Sequence, residues 1–163
     1  MELRKHLDFR KVFIGIYILA FSIYLVVGLQ PAEATQYEVS AELNIPSINL
    51  TSDVTTLHLQ NHLLQTPDTI VGSFTRHPGK TLLIGHASTV FQNLNQIHLD
   101  DEIIYDDTTY RVTDLATVEK SAVNMSEFLT PTDHDTIIIM TCAGTIFENG
   151  DATHRLIVTA IAK

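Results

Sequence analysis

The chain has no second cysteine. Its 163 residues carry one thiol, Cys142, which excludes a disulfide framework and any zinc or redox site built on a CxxC pair. Positive charge is also scarce: Lys and Arg number 10 against 19 Asp and Glu, for a formal net charge of −9. The deficit is uneven. Arg4, Lys5, Arg10 and Lys11 all precede residue 31, where only Glu2 and Asp8 oppose them, so the remaining body is more acidic than the total suggests. Such a body argues against a nucleic-acid partner, because phosphate neutralisation needs clustered Lys and Arg. Internal repeats and low-complexity tracts are absent, and the length accommodates one ordinary domain.

Charge of either sign is missing between Lys11 and Glu33, and residues 12–29 read VFIGIYILAFSIYLVVGL. At 1.5 Å per residue a helix over this run spans about 27 Å, close to the roughly 30 Å hydrocarbon core of a bilayer. A helix apolar on all sides belongs in lipid rather than on the surface of a small domain. Basic residues precede the run, and Glu33, Glu38 and Glu42 follow it, so the positive-inside rule leaves the N-terminus in the cytoplasm. The expected organisation is a cytoplasmic N-terminus over 1–11, a single-pass membrane anchor over 12–29, a linker over 30–37 and an extracellular domain over 38–163. Ala32-Glu33-Ala34 offers a signal-peptidase site as the alternative, but the apolar run is longer than the roughly 7–15 residues of a signal peptide.

Beyond the linker the pattern changes to short runs rich in Val, Ile, Thr and Tyr, separated by Pro, Gly, Asn and Asp. Strands are expected at Val39–Leu43, Thr69–Phe74, Thr81–Ile84, Glu102–Tyr105, Tyr110–Leu115, Thr136–Thr141 and Leu156–Ile161. Arg76 to Lys80 reads as a turn and Tyr105 to Tyr110 as a hairpin loop. Val90, Leu94 and Ile97 are spaced for a short helix over Thr89–Ile97, and Leu57–Leu64 suggests a further helical turn. Many short strands in one domain favour a mainly β barrel or sandwich over a doubly wound α/β fold.

Three reactive side chains stand beside these strands. Cys142 follows Ile137-Ile-Ile-Met-Thr141, His86 follows Leu82-Leu-Ile-Gly85, and Arg155 opens the last strand. A free thiol has a pKa of about 8.5 and is a weak nucleophile near neutrality, whereas a neighbouring imidazole and guanidinium favour the thiolate and can protonate a leaving amine. Each residue also has a plainer explanation. A lone Cys is commonly a small buried hydrophobe, His86 can be a hydrogen-bonded turn residue, and Arg155 can cover a strand end. The unpaired thiol in an exported domain favours the reactive reading.

Taken in order, these residues resemble the sortases, membrane-anchored cysteine transpeptidases of bacterial surfaces. The resemblance runs from about Leu43 to Lys163. It passes through Leu43-Asn-Ile-Pro-Ser-Ile48, Pro78-Gly79, Leu83-Ile-Gly-His86, Phe91-Gln-Asn-Leu94, Thr141-Cys142 and Arg155-Leu-Ile-Val158. Ile138-Ile-Met-Thr-Cys142 keeps only the final Thr-Cys of the family's usual Thr-Leu-x-Thr-Cys, and Ala87-Ser88 after His86 assigns no subclass. The resemblance implies a closed β-barrel with short helices, and the residues suggest neither cofactor nor resident metal, although some members of that family bind calcium. It implies that Cys142 attacks the Thr–Gly bond of a sorting signal of the Leu-Pro-x-Thr-Gly type on a surface protein. An amine of a cell-wall precursor or a pilin lysine then resolves the thioacyl enzyme. His86 would move protons, Arg155 would stabilise the oxyanion, and Thr141 would help hold the substrate. Resolution by water would make the same site a protease.

Other readings are weaker. His58 and His62 have the i, i+4 spacing of a helical zinc site, but Leu59 stands where a catalytic Glu belongs. The acidic hairpin of Asp100, Asp101, Glu102, Asp106 and Asp107 lacks the EF-hand loop pattern and reads as a solvated charge cluster. An L,D-transpeptidase would carry a Ser-x-Gly-Cys context that is absent around Cys142. A non-catalytic anchored β-domain remains the alternative of a different class.

Overall fold

The structure is a computed structural model that describes residues 37–60, 63–128, 130–148 and 151–163. The expected anchor over 12–29, the segment before it and nearly all of the linker lie outside the described residues. Among the described residues no helix is long and apolar enough to cross a membrane.

The chain opens with β1 (Val39–Ile45) and β2 (Leu50–Thr56), which pair antiparallel around a 3-10 turn at Pro46–Ile48. Pro46 supplies the fixed φ that starts the turn, and Asn49 closes it in the left-handed region at φ 51°. A two-stranded ribbon, β3 (Leu59–Gln60) with β4 (Leu63–Leu64), replaces the helical turn expected over Leu57–Leu64. Next come β5 (Val71–His77) and β6 (Lys80–Ile84), joined at the expected Pro78-Gly79 turn. The pair β7 (Glu102–Tyr105) and β8 (Thr108–Glu119) turns through Asp106 and Asp107 at φ 47° and 63°. Two consecutive positive φ values are the mark of a type I′ hairpin, which Asp tolerates. A 3-10 turn at Lys120–Ala122 and a single turn of helix, α1 (Met125–Phe128), lead to β9 (Thr136–Ile146) and β10 (Ala152–Ala162).

Eight of these strands close into a barrel in the order β1-β2-β5-β6-β9-β10-β8-β7, and β7 returns to β1 through Leu43↔Tyr105 and Asn44↔Ile104. Two neighbouring pairs, β2 with β5 and β6 with β9, are parallel. The mainly β expectation and the barrel alternative both hold. The strand at Leu50–Thr56 was not expected: Leu50, Ser52 and Val54 face inward, and a serine in that alternation hides its period.

The barrel interior is filled by Leu43, Ile45, Val54, Val71, Leu83, Ile103, Val112, Ile137, Ile139 and Val158. Phe91, Leu94 and Ile97 complete this core. Their three-residue repeat matches 3-10 turns and not the 3.6-residue period, and the expected helix over Thr89–Ile97 is indeed a series of turns with a 3-10 segment at Leu94–Gln96.

A second apolar cluster lies on the outer face of β6, β9 and β10. Leu82, Ile138, Met140 and Ile157 form it, with Ile84 and Val118 beside them and Val123 and Phe128 packed over them. Strand β9 is therefore buried on both faces from Thr136 to Thr141, which accounts for its unbroken run of Ile137-Ile-Ile-Met140.

Candidate active site

Side chains two residues apart on a strand share a face. Ile138 and Met140 belong to the outer cluster of β9, so Cys142 continues that outer row, and Thr141 continues the inner row of Ile137 and Ile139. Burial ends at this point: Thr141 is buried, Cys142 is half-buried, and Thr145 and Ile146 are exposed. Cys142 lines a cavity of about 240 Å³ together with Thr141, Ala87, Phe91, Gln92 and Leu156.

Two neighbouring strands bring the other candidates to this thiol. On one side β10 pairs antiparallel with β9, and Arg155 stands directly opposite Cys142 in the register. On the other side β6 runs parallel to β9 with Ile84 opposite Met140. The same offset of two residues beyond this pair carries β9 to Cys142 and the chain after β6 to His86. The Thr141 hydroxyl fixes the continuation, because its Oγ1 donates to the Gly85 carbonyl at 2.7 Å within the buried interior. A side chain at Gly85 would meet Val90 Cγ1 at 2.5 Å and the Phe91 ring at 2.8 Å, so the turn after His86 packs directly on the strand end. The His86 carbonyl accepts from the Phe91 amide at 3.0 Å and closes that turn.

Cys142 and Arg155 do not stand at strand ends, as their sequence context suggests. Strands β9 and β10 both run past them, and the two residues sit inside an antiparallel ladder. The ladder breaks just beyond. From Ala143 to Ile146 β9 advances three residues while β10 advances two, from His154 back to Ala152. Gly144 occupies this bulge at φ 74°, a backbone conformation that glycine adopts without strain. A Cβ there would meet Thr153 Oγ1 at 2.5 Å and His154 Nδ1 at 2.7 Å. The Thr145 amide donates to Thr153 Oγ1 at 3.0 Å and pins the bulge two residues after the thiol.

The guanidinium of Arg155 is held in place. Nη1 donates to the Ala152 and His154 carbonyls at 3.2 and 2.9 Å, and Nη2 to Asp151 Oδ1 at 3.2 Å. The side chain is 16% exposed, so these bonds are partly shielded from water. Asp151 also pairs with Lys120 on the turn after β8. The Lys120 ammonium, then the Ala152 amide, then Arg155 hold its carboxyl down to about 2. Asp151 is thus a site neighbour that no motif in the sequence signals.

His86 is held more loosely. Its ring is 42% exposed, and Nε2 lies 3.8 Å from Oδ1 of Asp68, an ion-pair distance once the ring is protonated. Asp68 is likewise silent in the sequence, since an isolated Asp in a loop resembles any other.

Among the described residues the remaining histidine and acidic candidates do not gather. His62 lies outside the described residues, and among the described residues no group of three or more His, Cys, Asp or Glu side chains could hold a metal ion. In the acidic hairpin, Asp101 accepts from the His98 amide and Glu102 pairs with Lys163.

Comparison with known proteins follows the same outline. A family model described as the sortase domain matches residues 43–163. Among solved structures, a lid mutant of sortase A from Corynebacterium diphtheriae superposes with a TM-score of 0.62 at 21% identity, covering 80% of this chain and 73% of that one. Sortase C-1 from Actinomyces oris gives a TM-score of 0.60 at 23% identity, covering 82% of each chain. A Clostridium perfringens sortase D5 transpeptidase gives 0.59 at 20% identity, covering 78% of this chain and 82% of that one. Identities this low speak to the fold alone. No curated protein sequence matches the chain.

Proposed function

The chain belongs to the sortase family, and from that premise we propose that it is a cysteine transpeptidase acting on sorting signals of the Leu-Pro-x-Thr-Gly type. The acyl group would pass to an amine of a cell-wall precursor or a pilin lysine. The observation that carries this reading is the register: Arg155 opposite Cys142 on one side, and the Thr141–Gly85 bond aligning His86 on the other.

The chemistry divides among these residues. Cys142 Sγ attacks the carbonyl carbon of the Thr–Gly bond, and negative charge develops on the carbonyl oxygen. The planar Arg155 guanidinium has five N–H donors, so its bonds to Asp151 and two carbonyls leave donors for that oxyanion. The leaving glycine amine takes a proton from His86, and the thioacyl bond to Cys142 remains. In the second half of the cycle the imidazole accepts a proton from the incoming amine, which replaces the thiol at the acyl carbon. Thr141 contributes by fixing the strand end that carries His86 and by lining the cavity beside the thiol. Residues 12–29 would hold the enzyme in the cell membrane with residues 1–11 in the cytoplasm and 38–163 outside.

The test is to incubate the protein with a library of sorting-signal peptides, with and without an amine, and to read the products by mass spectrometry. A thioacyl adduct on Cys142, followed by amide product when amine is present, supports the proposal. Labelling of Cys142 by a thiol probe only on unfolding would support the non-catalytic alternative.

A further inference from the structure

The turn that follows His86 has a cavity on each side. One is the Cys142 cavity, reached by Ala87, Phe91 and Gln92. The other is a larger cleft of about 540 Å³ between this turn and β2, walled by Thr89, Gln92, Asn93, Thr51, Asp53 and Thr69, among others. Gln92 lines both, so the two spaces meet at one side chain. Hydroxyl and amide groups share the cleft with the apolar side chains of Ile48, Leu50, Ile70 and Val90; among the described residues no Lys or Arg lines it, and Asp53 supplies its charge.

Asp68 lies beside the cleft without lining it, next to the imidazole. It precedes Thr69 of the cleft wall, and Thr89 Oγ1 on the opposite wall donates to its backbone carbonyl at 2.6 Å. Its carboxylate is 96% exposed and points a charge at His86 Nε2 from 3.8 Å. A cationic group lying in this cleft would find hydroxyl and amide partners along its length, and a carboxylate beside the base that must deprotonate it.

We propose that the cleft between β2 and the 86–93 turn receives the amine acceptor, and that Asp68 selects a positively charged one. This rests on the transpeptidase reading above. An acceptor ammonium held between Asp68 and His86 gives one proton to the imidazole. The neutral amine then attacks the thioacyl carbon: the C–N bond forms, the C–S bond breaks, and the electron pair leaves with Cys142 as thiolate. The second amine proton passes to solvent, and the enzyme returns as thiolate and imidazolium. Asp68 is exposed to water, so its effect on capture is expected to be modest and sensitive to salt.

The test uses a sorting-signal peptide as donor and two competing acceptors. N-acetyl-lysine amide carries its only amine as an ammonium, and hydroxylamine is uncharged at neutral pH. Rates of acyl transfer to each are compared within one protein. Asp68→Asn is expected to lower the lysine-to-hydroxylamine ratio about two- to fivefold. Asp68→Lys should lower it further, and added salt should erode the parent's ratio towards that of Asp68→Asn. Thr51→Trp, which fills the cleft from exposed β2, should depress the lysine product more than the hydroxylamine product. An unchanged ratio in both Asp68 variants, with the parent forming thioacyl adduct, overturns the acceptor assignment alone. Equal loss with both nucleophiles also overturns it, because Asp68 would then only orient His86. A parent that forms no adduct with any donor peptide overturns the transpeptidase reading instead.

Discussion

His86 follows β6 and Arg155 lies on β10, the two strands on opposite sides of β9, and the two side chains are secured in opposite ways. Arg155 is 16% exposed, lies inside a continuous ladder and spreads its guanidinium over an aspartate and two carbonyls. His86 is 42% exposed, follows the end of β6 and has one loosely spaced charged neighbour. The difference suits the two tasks proposed for them. A donor to a developing oxyanion works best when it is already in place and needs no reorganisation. A group that shuttles protons between a leaving and an entering amine needs access to solvent and room to turn. Rigidity on one flank and exposure on the other follow from one ladder continuing past Cys142 while the other stops two residues short of the imidazole.

The comparison can be broken at its centre first. Cys142→Ala is expected to fold normally and to lose all thioacyl adduct and turnover; normal turnover by this variant ends the assignment. On the rigid flank, Arg155→Ala should lose about 100- to 1000-fold in turnover with a smaller change in the Michaelis constant. Arg155→Lys should recover only part, since the charge returns without the planar fork. If both variants match the parent while Arg76→Ala or Arg111→Ala is crippled, a different arginine serves. On the exposed flank, His86→Ala should cost at least the roughly 100-fold typical of general acid–base catalysis, and a near-normal rate would move that role to another histidine.

The smallest expected effect sharpens the contrast. Asp151→Asn keeps the fold and weakens the tether on Arg155 and Lys120, so turnover should fall a few-fold without change of nucleophile. The Asp151 carboxyl titrates at about 2, below its ordinary 3.8. Its stabilising contribution is therefore full above the ordinary value and is lost as pH falls through about 2. Melting temperatures of parent and Asp151→Asn should differ at pH 6 and converge near pH 2. A constant difference across that range would show that the ion pairs contribute nothing.

Much of the barrel is legible in the sequence because most strands keep their β-branched residues in short bounded runs. Glu102–Tyr105 is recovered in full, and the starts of β1 and β9 are placed to the residue. Three strands, β8, β9 and β10, reach well beyond their expected bounds, into Ala116–Glu119, Cys142–Ile146 and Ala152–Arg155. Those stretches dilute their β-branched residues with Ala, Gly, Glu, His and Arg. They are extended because β10 pairs with both neighbours from His154 to Ile161 and with β9 back to Ala152. Leu57–Leu64 went the other way, its apolar spacing suggesting a helical turn where a two-stranded ribbon forms.

The sequence by itself determined the mainly β class, the apolar run at 12–29 and the identity and order of His86, Cys142 and Arg155. These rest on side-chain type and local spacing, which a linear chain carries within a few residues. Only the tertiary structure decided that β6 and β10 flank β9, that the Gly144 bulge lies two residues beyond the thiol, and that Asp151 and Asp68 stand beside the arginine and the histidine. Each of those facts is a pairing between strands or loops distant in sequence. Such pairings are set by closing a barrel whose inner face must exclude water, and no local period records which distant residue that closure will bring alongside.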